Sequence, residues 1–454
     1  IMLKLLFSSW GAEWGTAALV FFVSAAVGRY AAEGMNTLQW CGAITAVLAL
    51  SGPARAVDYA TAVFGTVGYA RSDHPFVYQR NIDDNGGFNR DSVFGAQLDI
   101  RFTPEWGATL QGRFAPAVAS DVQWDTTLAW AFISWRPSND WQLRAGKLRI
   151  PGYLHAENME VGTTFDYARL PAEVYFLSSI VDFVGGSVVK TWATDSGDLS
   201  LEAYWGRNNG YWRQYFRTSY LGMSPAGDYY LPITLEVRGL SLAFHRDEDV
   251  YKFTYYQIRD RQRSGDRWVV PTLETPAPGV SYYNLVPGGP EEMRLSVLAL
   301  GADVGIGNGF RLAGEAVQCK TFDIPSVFNM TGGYLALRKR IGQWTPYVYH
   351  ARLRSSGAQL DLHRALDNPT VPAAADPTGF ITAMQKSGAD AFGAYDQYTW
   401  SIGTAYALTP TSKLKAEWSQ THVGAASSLV DTPAGERASH QRFNVLSLSY
   451  SFVF

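Results

Sequence analysis

From Arg442 to Phe454 the chain reads R-F-N-V-L-S-L-S-Y-S-F-V-F. Alternate side chains of this stretch are apolar or aromatic, namely Leu446, Leu448, Tyr450, Phe452 and Phe454. The side chains between them are small and half polar, namely Val445, Ser447, Ser449, Ser451 and Val453. Because neighbouring residues of a β-strand face opposite ways, this period of two predicts a strand with one apolar, uncharged face. Such a strand, ending on an aromatic carboxy-terminus, is typical of a membrane β-barrel, and a half-buried strand of a soluble sandwich is the alternative.

The composition favours a barrel and gives no support for a nucleic-acid partner. The 454 residues include 15 Trp, 25 Tyr, 24 Phe and 43 Gly. Membrane barrels place aromatic side chains at both interfaces and glycine at bulges and turns. The formal net charge of −3 lacks the basic excess of a nucleic-acid-binding protein. The two cysteines, Cys41 and Cys319, lack the spacing of a metal site, and we expect neither a metal nor a cofactor.

The amino-terminal segment has the pattern of a secretory signal peptide. Residues 35–56 contain an apolar run, a Gly-Pro break and a final Ala-Arg-Ala, which predicts cleavage after Ala56. We interpret residues 1–34 as an upstream extension, and an inner-membrane anchor is the alternative. Residues 57–454 are then expected to form a single barrel domain.

After Ala56 the chain repeats a simple order of strand, tight turn, strand and longer polar loop. No run of 18 apolar residues occurs there, so the sequence predicts no membrane-spanning helix. Residues 91–103 and 108–114 flank Pro104-Glu-Trp-Gly107, where proline ends the ladder and glycine tolerates the reversal. A second hairpin signal is Gly307-Asn-Gly309.

This repetition predicts an all-β, transmembrane antiparallel barrel of about 16 strands, with 14 or 18 as alternatives. Short turns would lie on the periplasmic side and long loops on the extracellular side. The predicted strands are residues 59–70, 91–103, 108–114, 126–136, 141–150, 179–193, 199–207, 233–245, 250–261, 293–305, 310–320, 329–341, 345–354, 398–408, 413–423 and 442–454.

In strand number, loop order and terminal Phe454, the chain resembles the 16-stranded, trimeric porins of Gram-negative bacteria. The stretch W-Q-L-R-A-G-K-L-R-I-P-G, residues 141–152, is similar to a segment of the phosphate-selective kind, although their Lys-rich loops are missing. The resemblance implies an integral protein of the outer membrane that contacts its lipid and lipopolysaccharide and forms a homotrimer. It also implies recognition of the last strand by the barrel-insertion machinery.

In such porins the third long loop folds inward and narrows the channel. Here that loop is residues 151–178, and it mixes charges with apolar side chains that a loop tip in water would not need. They are Tyr153, Leu154, Val161, Phe165, Tyr167, Val174, Tyr175 and Phe176. We therefore expect the loop to pack against the inner wall, and an ordinary extracellular loop is the alternative.

Charge and width at the constriction would set the function of a porin. The predicted constriction residues on the loop are His155, Glu157, Glu160, Asp166, Arg169 and Glu173, and those on the strands are Arg101, Arg113 and Arg144. A basic row facing an acidic loop would create a field across the pore, whereas local pairing of each arginine is the alternative. Later strands carry Arg294, Arg311, Glu315, Arg338, Arg340, His350, Arg352 and Arg354 on their polar faces.

The sequence thus predicts a porin for passive diffusion of small hydrophilic solutes or ions, with a mild anion preference because most charged strand positions are arginines. The alternatives are a substrate-specific or plugged outer-membrane transporter, a barrel enzyme and a soluble β-rich adhesin. The sequence contains neither a G-x-S-x-G elbow nor an H-E-x-x-H motif, so we predict no catalytic residues.

Overall fold

The computed structural model describes residues 58–176, 181–219, 225–324 and 327–454. The predicted upstream extension, the signal peptide and its cleavage after Ala56 lie outside these residues, as do the last two residues of the predicted third loop. Among the described residues, no helix is both long enough and apolar enough to cross a membrane.

Sixteen antiparallel strands form one closed barrel, which confirms the predicted fold class and strand number. The barrel strands are β1 (Asp58–Ser72), β3 (Val93–Arg101), β4 (Trp106–Pro116), β5 (Trp124–Ser138), β6 (Trp141–Arg149), β7 (Asp182–Thr194), β8 (Gly197–Phe216), β9 (Gly227–Arg246), β10 (Asp249–Gln262), β13 (Met293–Gly307), β14 (Phe310–Thr321), β15 (Met330–Lys339), β16 (Trp344–Ser355), β17 (Tyr395–Thr409), β18 (Ser412–Ser427) and β20 (Arg442–Val453). Each barrel strand pairs with its neighbour in the chain, and β1 closes the barrel by pairing with both β3 and β20.

The last strand faces as its sequence predicts. Leu446 and Leu448 are 49% and 48% exposed on the outside, whereas Ser447 and Ser451 are 2% and 0% exposed inside. An apolar outer surface over a small, polar inner surface is the arrangement of a barrel whose outside contacts lipid.

The polar side chains of β16 were expected to point into the barrel, but they point outward. The rings of His350 and the exposed Trp400 lie 4.5 Å apart on the outside. Its neighbour Tyr349 points inward and donates to Glu417 at 3.2 Å. The polar face of β16, including Arg352, is therefore outside near the long-loop rim, because a loop inside the barrel packs on the aromatic face.

Tight turns gather at one rim of the barrel and long connections at the other. The predicted hairpin at Gly307-Asn-Gly309 is present, and its three residues have φ angles of +93°, +52° and +76°. Glycine adopts these angles without steric cost, and asparagine tolerates them better than most residues. Both described ends of the barrel, Asp58 and Val453, lie at the tight-turn rim, as the sequence predicts.

The long connections carry secondary structure that the sequence analysis missed. Two small sheets are formed by β2 (Val77–Tyr78) with β19 (Val430–Asp431) and by β11 (Val270–Ala277) with β12 (Val280–Val286). Three short helices are α1 (Ala172–Tyr175), α2 (Gly357–Asp367) and α3 (Phe380–Phe392). The connection between β16 and β17 holds α2 and α3.

Candidate functional site

The connection between β6 and β7 enters the barrel. Its described part, residues 151–176, is called the inward loop. The backbone amide of Leu154 donates to the Glu315 carboxylate on β14 at 2.8 Å, and the amide of Ala168 donates to the Tyr347 hydroxyl on β16 at 3.0 Å. A loop that leaves solvent must find such partners for its backbone groups. The loop therefore crosses the lumen, and the prediction of an inward third loop is confirmed.

Lys415 on β18 holds the middle of the inward loop. Its ammonium donates to the carbonyl oxygens of Gly162 and Tyr167 at 2.6 and 2.9 Å. The same ammonium lies 4.0 Å from the centroid of the Phe165 ring. Two carbonyl groups and a ring face thus replace the water that would solvate this buried cation.

An aromatic cluster fixes the loop against β15 and β16. The ring of Tyr167 meets those of Tyr334, Tyr347 and Tyr349 edge to face, with centroids 6.3, 5.2 and 5.9 Å apart. Edge-to-face pairs at these distances are favourable. Glu417 on β18 accepts hydrogen bonds from the Tyr347 and Tyr349 hydroxyls at 2.7 and 3.2 Å, so the polar ends of both rings are satisfied.

Two buried carboxylates complete the attachment of the loop. Glu315 accepts from the hydroxyls of Tyr175 and Tyr334, the latter at 3.0 Å. Glu173 in α1, which is 1% exposed, accepts from Thr399 on β17 at 2.5 Å. Buried polar groups are stable when hydrogen bonds satisfy them, as the hydroxyl groups do here. Glu173 is thus tied to the wall rather than presented to a passing solute.

Glu160 of the inward loop forms ion pairs with both Arg113 on β4 and Arg149 at the end of β6. Burial raises the pKa of the Glu160 carboxyl, but the two guanidinium groups outweigh this effect and lower the pKa to about 2. Glu160 is therefore ionised at neutral pH. Two guanidinium groups and one carboxylate therefore meet here.

Other charges of the loop also pair with charged residues of the barrel wall. Arg144 on β6 lies 3.5 Å from Glu157 of the loop and 2.5 Å from Glu202 on β8. Asp166 of the loop lies 2.8 Å from Lys413 on β18. The local pairing that the sequence left open as an alternative is therefore present at these positions.

Arg169 of the inward loop bridges to the wall formed by β1 and β20. Its Nε donates to Asp91, just before β3, at 2.7 Å, and its Nη2 donates to Ser447 on β20 at 3.0 Å. Burial raises the pKa of the Asp91 carboxyl, but Arg169 more than offsets this and lowers it. The pair is therefore charged and fixes the far side of the loop.

Two of the predicted constriction residues bring no charge to the constriction. Burial lowers the pKa of His155 to about 4, and its imidazole packs against Phe165 with ring centroids 5.6 Å apart. Arg101 is exposed at the tight-turn rim, where it pairs across the ladder with Gly107, six residues before Arg113. The structure therefore does not bring Arg101 to the inward loop.

Residues that sequence reasoning missed include Arg149, Lys413 and Lys415. Arg149 ends β6 just before the loop, so its position next to a constricting segment was visible in the sequence. Lys413, Lys415 and Glu417 alternate along β18, which is the pattern of an inward polar face. Their loop partners lie about 250 residues away in sequence, as the separation of 253 between Lys415 and Gly162 shows.

A cavity of about 580 Å³ lies on the long-loop side of the inward loop. One wall is apolar and includes Trp212, Ile258, Leu295, Val297 and Val317 from strands β8 to β14. The opposite wall carries cationic side chains, Arg90, Arg113, Arg169 and Lys415. The cavity thus has two chemically different sides.

The mouth of the cavity has balanced charges. Arg213 on β8 donates to Asp121 at 2.7 Å and to Asp431 at 2.6 Å, and Arg217 donates to Asp390 of α3 at 2.6 Å. Burial raises the pKa of Asp121, but Arg213 outweighs it and lowers the pKa. Burial raises the pKa of Asp390 to about 6 despite Arg217. These ion pairs fasten α3 beside the opening of the cavity.

Within the part of the chain that the structure describes, no group of three His, Cys, Asp or Glu side chains is arranged to hold a metal ion. The arrangement instead offers a narrowed lumen, a basic wall and an apolar wall. Chemically, these features select solutes by size, charge and polarity.

Several solved structures of outer-membrane proteins are similar to this chain at low sequence identity. No family profile and no curated protein matches the sequence. Similar solved structures include OmpT of Vibrio cholerae, at 10% identity over 88% of this chain and 99% of that chain, with a TM-score of 0.49. Others are an anion-selective porin from Comamonas acidovorans (9% identity, 88% and 100% covered, TM-score 0.48) and OmpF of Salmonella typhi (8%, 87% and 97%, TM-score 0.45).

Proposed function

We propose that the chain is a porin of the Gram-negative outer membrane, through which small hydrophilic solutes or ions diffuse passively. The observation that carries this proposal is the closed 16-stranded barrel whose lumen is narrowed by the inward loop. A loop fixed to several strands leaves a constriction of constant width, which is what a passive size filter requires.

A mild anion preference follows from the charges around Glu160. Arg113 and Arg149 both pair with this carboxylate, so two guanidinium groups surround it. A positive ring lowers the free energy of an anion and raises that of a cation in the same place.

Swelling of proteoliposomes tests the passive route. Vesicles that contain the purified protein should swell in iso-osmotic arabinose and more slowly in a larger neutral sugar. Vesicles with a heat-unfolded sample serve as the control. Equal rates with folded and unfolded protein would contradict the porin proposal and favour a plugged transporter or a barrel enzyme.

A second candidate is a substrate-specific outer-membrane channel. The observation that favours it is the apolar wall of the cavity, with Leu295 and Val297 at inward positions of β13. A lumen built only for water and ions has a polar interior. An apolar surface on one side of the path indicates preference for particular solutes.

We also propose that lipopolysaccharide surrounds part of the long-loop rim. Arg207, Glu236, Arg259 and Arg294 are successive cross-strand neighbours on β8, β9, β10 and β13. Among the described residues, no carboxylate oxygen lies within 4.0 Å of the exposed Arg259 guanidinium. An Arg259→Gln variant should retain less lipopolysaccharide on purification, and unchanged retention would exclude this contact.

Homotrimer formation is proposed through the sector of β3 and β4. Their outward positions, from Phe94 to Ile100 and from Trp106 to Phe114, carry no charge even near the long-loop rim. The arginines that face lipid headgroups elsewhere are thus missing here, which fits contact with a second copy.

For the last strand, whose Phe454 is 75% exposed, we propose recognition by the barrel-insertion machinery. A Phe454→Ala variant should reduce the assembled barrel in cells, and equal assembly would refute that recognition.

A further inference from the structure

The apolar wall of the cavity needs an occupant other than water. Five apolar side chains line the cavity from inward positions of the four adjacent strands β9, β10, β13 and β14, namely Leu235, Ile258, Leu295, Val297 and Val317. Of these, Ile258 lies directly opposite Leu295. Apolar surface kept in contact with water costs roughly 25 cal/mol for each Å². A purely aqueous path would have polar residues at these positions, as the rest of the inner surface does on β18 and β20.

The opposite wall carries cationic side chains, of which Arg169 pairs with Asp91 and Arg113 with Glu160. Both of these carboxylates line the cavity as well.

Arg90 adds a further charge to the same wall. Its Nε reaches only the Gln79 amide oxygen at 3.3 Å, and its guanidinium lies 5.3 Å from the centroid of the Phe176 ring. Among the described residues, no carboxylate oxygen lies within 4.0 Å of Arg90. Burial lowers its pKa to about 10, so the group stays charged at neutral pH. A partly buried cation without a carboxylate gains most from an anion in the cavity.

We propose that this cavity binds a small organic anion that has an apolar or aromatic body, such as an aromatic carboxylate. This inference rests on the proposed function, since it names the solute class that the channel selects. The carboxylate faces Arg90, and the ring lies against Trp212 and the Val297 wall. The volume of about 580 Å³ lies within the range of pockets for small organic ligands. Acetate lacks the ring that contacts the apolar wall, and a neutral aromatic alcohol lacks the charge that pairs with Arg90.

The test uses the full-length purified protein in detergent and three probes: benzoate, benzyl alcohol and acetate. Quenching of tryptophan fluorescence, to which Trp212 contributes, or heat of binding gives the half-saturating concentration. We expect benzoate to half-saturate at a concentration at least ten-fold below those of both other probes. A half-saturating concentration of benzoate equal to or above that of acetate would overturn the proposal.

Two variants test which wall contacts the carboxylate and which wall contacts the ring. Arg90→Gln should raise the half-saturating benzoate concentration at least five-fold and leave that of benzyl alcohol unchanged. The Val297→Thr variant, in which the new side chain is nearly equal in size, should weaken the binding of both benzoate and benzyl alcohol. Arg101→Gln removes an equal charge at the tight-turn rim and should change neither, so equal effects of Arg90→Gln and Arg101→Gln would also overturn the proposal.

Conduction is measured separately, in KCl without benzoate, so that the two ideas fail independently. A protein that conducts but does not prefer benzoate contradicts this inference alone. A protein that prefers benzoate, with the variant pattern above, but never conducts supports the site and contradicts the porin proposal.

Discussion

Replacement of Arg113 by glutamine should move the selectivity of the channel towards cations. Arg113 is one of the two guanidiniums on Glu160, and its removal leaves Glu160 paired with Arg149 alone. At about 8 Å from the ion path in water, a unit charge changes the free energy of each ion by about 0.5 kcal/mol, with opposite signs for chloride and potassium. The difference of about 1 kcal/mol corresponds to about a five-fold change in the permeability ratio.

The structure supplies a matched control for this variant. Arg101→Gln removes the same charge, but Arg101 lies six residues further down the ladder, about 20 Å along the strand. This distance exceeds the Debye length of about 8 Å at physiological ionic strength, so Arg101→Gln should leave the ratio nearly unchanged. The Arg113→Gln/Glu160→Gln double variant restores the net charge and should return the ratio towards that of the unmodified protein.

The assay is the reversal potential of single channels in a planar bilayer under a KCl gradient. Equal shifts for Arg113→Gln and Arg101→Gln, or no shift for either, would refute the assignment of the constriction to the level of Glu160.

Three further predictions concern the inward loop and the outer surface. The Lys415→Met variant leaves the Gly162 and Tyr167 carbonyl groups without their hydrogen-bond donor. It should lower the free energy of unfolding in urea by about 2–4 kcal/mol and increase open-channel noise. An unchanged urea midpoint would contradict the role of Lys415 in holding the loop. The pKa of Glu160 is about 2 in the folded protein, against an ordinary 4.5, so its ionised form contributes about 3 kcal/mol to the free energy of unfolding. This contribution should be present above pH about 4.5 and be lost as the pH falls towards 2. Urea midpoints between pH 2 and 6 measure this loss, and Glu160→Gln should flatten the curve. Leu110→Glu on the outward side of β4 should convert a trimer to monomers in native mass spectrometry, whereas the same change at Leu335 on β15 should not; trimers in both variants would exclude this sector as the interface.

The barrel could be predicted from the sequence because its outer surface is read directly from alternation. In β20 the outward residues from Leu446 to Phe452 are all apolar and Ser447, Ser449 and Ser451 face inward, so both faces follow from a single stretch. Strand count and the sides of the turns follow because short and long connections alternate along the chain.

The facing of β16 could not be predicted from polarity. Its inward Tyr347 and Tyr349 contact a loop segment about 180 residues away, as the separation of 179 between Ala168 and Tyr347 shows. Arg352, on the other face, extends outward near the rim. Period alone separates two faces but does not say which one meets a loop inside the barrel.

The site was partly predictable for the same reason. The apolar side chains of the inward loop indicated that it packs inside. Its charged residues meet partners on strands that are distant in sequence. The pairing of Glu160 with Arg149 depends on the loop path, which the sequence does not contain. Helix α2 carried a visible signal, since Ser356 accepts from the Gln359 amide at 3.3 Å in a Ser-x-x-Gln cap.

The most direct test of the proposed function is the current through single channels of the unmodified protein under a ten-fold KCl gradient. The constriction around Glu160 predicts stepwise openings with a reversal potential shifted towards that of chloride. A folded protein that never opens, or one whose reversal potential lies towards that of potassium, would contradict an anion-preferring porin.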